Sequence, residues 1–139
     1  MRARFFARSL FLLSVLGALA CQNEVRAPFI FELPEGYKGW VSVQFFRGDC
    51  PPLAQEDGKL LARVPASGRL CAGTPMSFGN PGDEFYFVDA SGRRTDAKAQ
   101  IHQQHTAIEG ASPGKQIYER FFVGTDEEFA KAPPEPHLE

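Results

Sequence analysis

The sequence predicts an all-β fold, a small antiparallel β-sandwich with a short C-terminal helix. Apolar and polar side chains alternate in several short segments, most clearly in residues 40–46. A period of two is typical of strands that bury one face. Glycines and prolines separate these segments at short intervals, which favours a sandwich or a small barrel.

The first 20 residues have the features of a secretory signal peptide. Arg2, Arg4 and Arg8 form a positive segment, and residues 9–20 are uncharged, rich in leucine and end in small residues. This apolar run is shorter than the roughly 20 residues that span a bilayer as a helix. We therefore expect residues 1–20 to be removed on export.

Cys21 follows Ala18-Leu19-Ala20 directly, and this order has two interpretations. It fits an ordinary signal peptidase site, and it resembles a bacterial lipobox, in which the cysteine is diacylglycerylated and becomes the new N-terminus. Acyl chains would tether the protein because each buried CH₂ contributes ~0.8 kcal/mol. We predict lipidation of Cys21, with 21–27 as a linker and the protein in the cell envelope, anchored to the membrane. The alternative is a soluble secreted or periplasmic protein.

A single domain is predicted over residues 28–131. Pro34 and Pro65 end two of its strands because proline cannot donate a hydrogen bond to a neighbouring strand. In chain order, the predicted strands are 29–33, 40–46, 60–64, 69–71, 84–89 and 116–123. The segment 84–89 is apolar on both faces, which predicts a central strand, and 90–93 reads as a hairpin turn. The polar segment 93–101 has no clean period, and the partner of this hairpin stays unassigned.

The C-terminal region predicts one short helix and a tail. Thr125 and Glu128 have the spacing of a capping box, so a helix of one or two turns should follow, to about Lys131, with Phe129 docking it. Prolines then end the helix, and residues 132–139 are predicted to be disordered. The strand spacing resembles transthyretin-like and carboxypeptidase-regulatory-like sandwiches, an analogy that says nothing about chemistry.

Cys50 and Cys71 are predicted to form a disulfide. Two remaining cysteines in an exported chain usually pair, and lipidation of Cys21 leaves an even number. The closed loop of about 20 residues corresponds to roughly 3 kcal/mol in the entropic model. A reactive or metal-binding thiol pair is the alternative, which the absence of C-x-x-C spacing disfavours.

The charge balance argues against nucleic-acid binding. The chain has 15 basic and 17 acidic residues. Three of the basic residues lie in the signal peptide, so the mature domain is acidic and has no basic stripe.

His102 and His105 are weak candidates for metal ligands. On a helix, residues three apart share a face, and Glu109 or Asp96 could supply a third ligand. Histidines in a polar segment are, however, more often solvated loop residues. The prediction is therefore no metal, no cofactor and no catalytic residue.

Two acidic motifs also have ordinary explanations. Arg47-Gly48-Asp49 is an integrin-binding tripeptide, but such a tripeptide often arises by chance in a loop. Glu56 and Asp57 are adjacent carboxylates, and neighbours in a turn point apart, whereas glycosidase chemistry needs two facing carboxylates. Both motifs are interpreted as solvated turns.

Tyr37, Trp40 and Phe46 form the candidate binding patch. Trp40 and Phe46 lie on the face of the 40–46 strand opposite Val41, Val43 and Phe45. If a second layer covers that face, the aromatic side chains belong to a core. If it is open, they form a surface for another envelope protein or a glycan.

The segment Pro34-Glu35-Gly36-Tyr37-Lys38-Gly39-Trp40-Val41 resembles the P-E-G-Y-x-G-W-V signature of a family of small bacterial exported proteins. This is a domain-of-unknown-function family, and its members are often lipoproteins. The segments 51–53, 56–58, 65–68 and 118–125 share this resemblance. The resemblance implies a shared fold and location, and it brings no catalytic residues.

Together these features predict a non-enzymatic envelope lipoprotein, a binding or structural module. The alternative is a small metal-dependent or hydrolytic enzyme that uses His102 and His105. A third class is an accessory or inhibitor domain that binds another envelope protein, which an exposed aromatic patch would favour.

Overall fold

The computed structural model describes residues 26–76, 78–79, 81–111 and 114–137. The predicted signal peptide and Cys21 lie outside these residues. Within them the chain forms, in order, β1 (Phe29–Pro34), β2 (Gly39–Gln44), β3 (Ala54–Glu56), β4 (Lys59–Arg63), β5 (Arg69–Cys71), β6 (Glu84–Val88), β7 (Arg94–Asp96), a 3₁₀ turn (Lys98–Gln100), β8 (Ile101–Glu109), β9 (Gln116–Val123) and α1 (Asp126–Ala130).

The strands form two sheets that pack face to face. One sheet has the order β3-β4-β1-β6-β7, and the other has the order β5-β2-β9-β8. The predicted all-β sandwich with a short C-terminal helix is therefore confirmed.

The sheets are mixed, however, where the sequence predicted antiparallel ones. β1 runs parallel to both β4 and β6, and β2 runs parallel to β5. Consecutive strands β1 and β2 belong to different sheets, so each finds its neighbours among later segments. Parallel and antiparallel strands share a side-chain period of two, so alternation alone does not distinguish them.

Aromatic and β-branched side chains fill the space between the sheets. The predicted inward face of β2 is confirmed, because Val41, Val43 and Phe45 are almost completely buried. Phe31 lies at the centre, with its ring centroid 5.0 Å from Phe85 and 4.9 Å from Phe121. Offset and edge-to-face pairs of this kind stabilise a core beyond their buried area.

β8 is a strand that the sequence did not predict. It pairs with β9 along the edge of the four-stranded sheet, and its register shifts between His102 and His105. Gln103 has a φ of 53° at this shift, which is the left-handed conformation of a β-bulge. The bulge breaks the alternation of apolar residues, which explains why the segment looked like a loop.

α1 begins at the predicted capping box. The hydroxyl of Thr125 accepts from the amide of Glu128 at 3.2 Å, and the carboxylate of Glu128 accepts from the amide of Thr125 at 2.8 Å. Phe129 docks the helix as predicted: its ring centroid lies 5.4 Å from that of Phe122 and 4.8 Å from that of His102. The helix thus covers one end of the outer face, the side of the four-stranded sheet that points away from the core.

Residues 132–137, called the tail below, also lie on the outer face, and the disorder expected for 132–139 stays a prediction. The indole Nε1 of Trp40 donates to the carbonyl oxygen of Pro133 at 2.9 Å. Glu135 forms an ion pair with Arg120 at 3.2 Å. These partners are distant in sequence, so the composition of the tail gave no sign of them.

Among the described residues, none of the helices has the length and apolar character required to cross a membrane.

Candidate functional site

The outer face carries a row of paired aromatic and polar side chains. The antiparallel register of β2 and β9 sets Trp40 opposite Phe122 and Ser42 opposite Arg120. Because side chains on a strand alternate, these residues all point away from the core side that Val41 occupies. This face therefore combines ring surface, hydroxyl and guanidinium groups along one line.

Arg120 is the centre of this row, and its side chain is 1% exposed. Its Nη1 donates to Glu109 at 2.5 Å and to Glu135 at 3.2 Å, and its Nε lies 3.4 Å from the Ser42 hydroxyl. Its guanidinium stacks 4.6 Å above the ring of Tyr118. The hydrogen bond that Arg120 donates to Glu109 raises the pKa of Arg120 above its ordinary value, against the opposing effect of burial.

One hydrogen-bonding group of Arg120 has no partner. Its Nη2 is buried and donates to no atom among the described residues. A buried charged donor without an acceptor costs free energy, so it is a candidate point for a ligand oxygen. Carboxylate is the group that a guanidinium binds best, through two parallel hydrogen bonds.

A groove opens beside this row between β5 and the tail. It has a volume of about 330 Å³, and one side is open. Its walls are largely apolar, with a few amide, hydroxyl and guanidinium groups. The lining residues are Ser42, Gln44, Arg69, Leu70, Cys71, Tyr118 and Pro136.

The polar groups of the groove are held in place by their own contacts. Gln44 donates to the side-chain oxygen of Gln116 at 2.6 Å, and the hydroxyl of Tyr118 donates to the same oxygen. Burial raises the pKa of Tyr118, which keeps its hydroxyl protonated at neutral pH. The groove wall is therefore preorganised.

The predicted disulfide between Cys50 and Cys71 is present at the rim of the groove. The two Cα atoms are 5.9 Å apart, and 21 positions separate the residues in the sequence. It joins edge strand β5 to the loop that follows β2. Neither sulfur is therefore a free thiol that could bind a metal or act as a nucleophile.

The candidate patch of Tyr37, Trp40 and Phe46 is not one surface. The hydroxyl of Tyr37 donates to the carbonyl of Trp40 at 2.7 Å, and its ring packs against the core. Trp40 is half-covered by Phe122 and Phe129. Phe46 follows β2, has a φ of 59° and is 52% exposed. The three side chains therefore lie in different environments, and their role as a binding patch stays a prediction.

The two candidate metal ligands lie on β8, not on a helix. Nε2 of His102 lies 2.8 Å from the carbonyl oxygen of Gly124, and the ring stacks on Phe129. Nδ1 of His105 lies 2.8 Å from the carbonyl oxygen of Gln103, and its Nε2 lies 3.2 Å from Glu135. The bulge replaces the i, i+3 geometry that a helix would have provided.

The two proposed third ligands have other contacts. Asp96 accepts from the amide of Lys98 at 2.9 Å, and Glu109 binds Arg120. Within the described ranges, no group of three histidine, cysteine, aspartate or glutamate side chains is close enough to hold a metal ion.

The motifs at residues 47–49 and 56–57 form ion pairs, one within its turn and one with a distant strand. Arg47 and Asp49 bind each other through two hydrogen bonds of 2.8 and 2.6 Å. Glu56 binds Arg94 at 2.5 Å, whereas Asp57 has a φ of 50° in the turn between β3 and β4. The first motif thus lies in a turn, as the sequence predicted, whereas the second begins at the last residue of β3 and continues into the turn.

A second polar cluster lies where β8 meets the start of β6. No pattern in the sequence indicated it. Arg26 binds Asp83 through two hydrogen bonds of 2.7 and 2.5 Å, and Gln104 donates to both Asp83 and Glu119, at 2.6 and 2.8 Å. Thr106 donates to the other oxygen of Glu119 at 2.9 Å. These residues come from four separate segments, so no local motif indicated them.

The two carboxyl groups of this cluster differ in acidity. Burial raises the pKa of Glu119, and the hydrogen bonds from Gln104 and Thr106 only partly offset it. Burial also opposes ionisation of Asp83, but the hydrogen bonds from Arg26 and the amide of Phe29 outweigh it and lower the pKa of Asp83. Paired acidic groups with divergent pKa values also occur at functional sites, although structural networks give the same pattern.

Comparison with solved structures identifies a related fold. A crystal structure named "Putative Lipoprotein from Bacillus anthracis" superposes with a TM-score of 0.65 and 23% sequence identity, covering 81% of this chain and 83% of that chain. At this identity the likeness shows the fold alone. No curated protein matches the chain significantly.

A family model matches residues 26–132, which include both sheets, α1 and the start of the tail. The family has no established function. The chain therefore belongs to the family of unknown function DUF6843.

Proposed function

We propose that this protein is an exported lipoprotein, held at the cell envelope through Cys21, whose sandwich is a non-enzymatic binding module. Its ligand is an extended, proline-containing and acidic segment of another envelope protein, which lies across the outer face. The leader and the lipobox-like sequence before Cys21 support the location. The likeness of the fold to a chain named as a lipoprotein agrees with it.

The position of the tail is the observation that carries the binding role. The sequence Pro133-Pro134-Glu135-Pro136 crosses the outer face without secondary structure of its own. The carbonyl of Pro133 accepts from the indole of Trp40, and the carboxylate of Glu135 accepts from Arg120. The tail thus occupies this face in the way a separate peptide would.

The chemistry of these contacts matches recognition of proline-rich peptides. Such peptides are extended beforehand and expose their carbonyl groups, so they lose little entropy when they bind aromatic grooves. The indole N–H of Trp40 supplies a donor, and Arg120 supplies a positive charge for an acidic residue. The open groove next to Pro136 leaves room for a longer segment than the tail itself.

The non-enzymatic interpretation rests on how the candidate catalytic groups are engaged. The ring nitrogens of His102 and His105 lie near backbone carbonyls and acidic side chains of the same domain. The alternative is a metal-dependent or hydrolytic enzyme that uses these histidines, and in the described part of the chain no group of three possible metal ligands supports it.

A peptide titration tests the binding role. A variant that ends at Lys131 should bind a synthetic peptide of residues 132–139, and Trp40, the only tryptophan, should report it by fluorescence. The intact chain should respond weakly because its own tail competes at an effective concentration in the millimolar range. A peptide with Glu135→Gln is the matched control and should bind several-fold more weakly.

The absence of a saturable change in the shortened chain at about 5 mM peptide, a concentration comparable to the effective concentration of a short tether, would reject the binding role. If the shortened chain does not fold, the intact Glu135→Gln variant replaces it, since its tail is held by one contact fewer. Location is tested separately: wild-type protein should sediment with membranes, and Cys21→Ser should move it to the soluble fraction.

A further inference from the structure

Three large apolar side chains are exposed among the described residues. Phe46 is 52% exposed, Phe78 is 57% exposed and Ile108 is 53% exposed. Single exposed apolar residues are common on protein surfaces and need no explanation. Their location relative to one another and to the N-terminus is what makes these three informative.

All three lie at one end of the sandwich. β1 leaves this end and β2 returns to it, so the rings of Phe29 and Phe45 are 5.5 Å apart. The amide of Phe45 donates to the carbonyl of Ile117 at 2.9 Å, and Ile117 pairs with Ile108. This hydrogen bond places Phe46, which follows Phe45, near Ile108, which pairs with Ile117.

Phe78 is joined to this end by the loop between β5 and β6. The amide of Phe46 donates to the carbonyl of Thr74 in this loop at 3.2 Å, and the carbonyl of Phe78 accepts from the amide of Arg26 at 3.4 Å. Gly79, the next residue, lines a small pocket together with Thr106 of β8. We call Phe46, Phe78 and Ile108 the apolar tip.

The N-terminus of the described chain is fixed at the same end. Arg26 is 5% exposed and held by Asp83, with which it forms two hydrogen bonds. Cys21 is five positions before it in the sequence. Five residues span at most about 18 Å even when fully extended. An acylated Cys21 therefore keeps this end of the domain close to the lipid headgroups.

We propose that the apolar tip rests on the bilayer and inserts its side chains into the interfacial layer, so that the domain has a fixed orientation. This inference relies on the lipidation of Cys21 in the proposed function. The occupant of the tip is a lipid surface because the short tether brings lipid to it. Aromatic rings favour the headgroup level, where apolar and polar groups meet. The acidic domain gains nothing from anionic headgroups, so apolar contact is what holds the tip.

This orientation directs the other end of the sandwich away from the membrane. The hairpin at residues 89–93 follows β6, whose first residue, Glu84, pairs with Ile30 near the tip. The hairpin therefore lies at the opposite end of the sandwich. It points away from the membrane and provides a matched control position.

Fluorescence quenching in vesicles tests the orientation with the acylated full-length protein. In a Trp40→Phe background, Phe46→Trp, Phe78→Trp and Ile108→Trp each place one reporter at the tip, and Ser91→Trp places one in the hairpin. In phosphatidylcholine vesicles with brominated acyl chains, we expect quenching at the three tip positions to exceed that at position 91 at least threefold. Melting curves establish that each variant is folded.

Equal quenching at the tip and at position 91, in protein whose mass shows acylation of Cys21, would overturn the orientation alone. Mature protein without an acyl group on Cys21 would overturn both the orientation and the membrane location. The two failures are therefore distinguished by mass spectrometry before any vesicle is prepared.

Discussion

The hydroxyl of Tyr37 lies directly above Gly68, so close that a Cβ at Gly68 would be 1.9 Å from it. That hydroxyl donates to the carbonyl of Trp40, which would itself be 2.6 Å from the added Cβ. The turn before β5 thus depends on a residue without a side chain.

We predict that Gly68→Ala destabilises the fold by about 3 kcal/mol, from overpacking and a strained positive φ together. Gly36→Ala is the matched control, because Gly36 has nearly the same φ, +71° against +72°, with nothing within 4 Å of the added Cβ. It should cost about 1 kcal/mol. Chemical denaturation measures both, and equal losses would show that the contact with Tyr37 is unimportant.

The disulfide should contribute to stability through the unfolded chain. Replacing both Cys50 and Cys71 by alanine should lower the free energy of unfolding by roughly 3 kcal/mol, as expected for a loop of this size. The melting temperature should fall by several degrees. Reductant should lower the melting temperature of the wild type and leave that of the double variant unchanged. An identical melting curve for the wild type with and without reductant would contradict the prediction.

Arg120 should contribute far more to the stability of the fold than an exposed arginine in an ion pair. Arg120→Ala should cost about 3 kcal/mol or more, because it removes a buried charge that pairs with both Glu109 and Glu135. Arg63→Ala is the control: Arg63 binds Glu32 at 2.9 Å, but its side chain is 70% exposed. That loss should stay below about 1 kcal/mol. Similar losses for the two variants in urea denaturation would refute the distinction.

Glu119 should make the protein less stable as pH rises. Its pKa in the fold is raised by burial, so the folded state holds its proton over a pH range in which the unfolded chain has lost it. The stabilisation that Glu119 provides is complete at a pH below the ordinary glutamate pKa of about 4.3, and it is lost as pH rises through the higher folded pKa. Glu119→Gln should therefore stabilise the protein at pH 7 and have little effect near pH 4.

Asp83 supplies the opposite case. The pKa of Asp83 is lowered in the fold. The stabilisation that Asp83 provides is therefore complete at a pH above the ordinary aspartate pKa, and it is lost as pH falls through the folded pKa. Asp83→Asn should destabilise the protein at pH 7 by about 3 kcal/mol because Arg26 loses its buried partner. Melting temperatures measured from pH 4 to 8 check both variants. Parallel pH profiles for Glu119→Gln and wild type would exclude the assignment to Glu119.

The sequence carried enough information for the local elements. Alternation identified the buried side of β2, and Thr125 with Glu128 identified the start of α1. The number of cysteines identified the pair Cys50–Cys71. Each of these signals is a relation that a short segment or a simple count contains.

The remaining features depend on contacts between distant segments. The bulge at Gln103 hid β8 by breaking its period, and the parallel pairing of β1 depends on residues that follow much later. The candidate site was harder still to predict, since it depends on contacts of the tail with Trp40 and Arg120. The alternation made Trp40 a candidate, but nothing in the sequence links Trp40 to Arg120 or to the tail, so the groove could not be foreseen.

The parallel pairing of the first strand has a consequence for the order of folding. Phe29 finds its neighbour only at Leu60, and Ile30 finds its other neighbour at Glu84. The centre of the larger sheet therefore cannot assemble until more than half of the polypeptide has been synthesised. If the chain is exported as proposed, this late closure would keep it open enough to thread through a translocation channel.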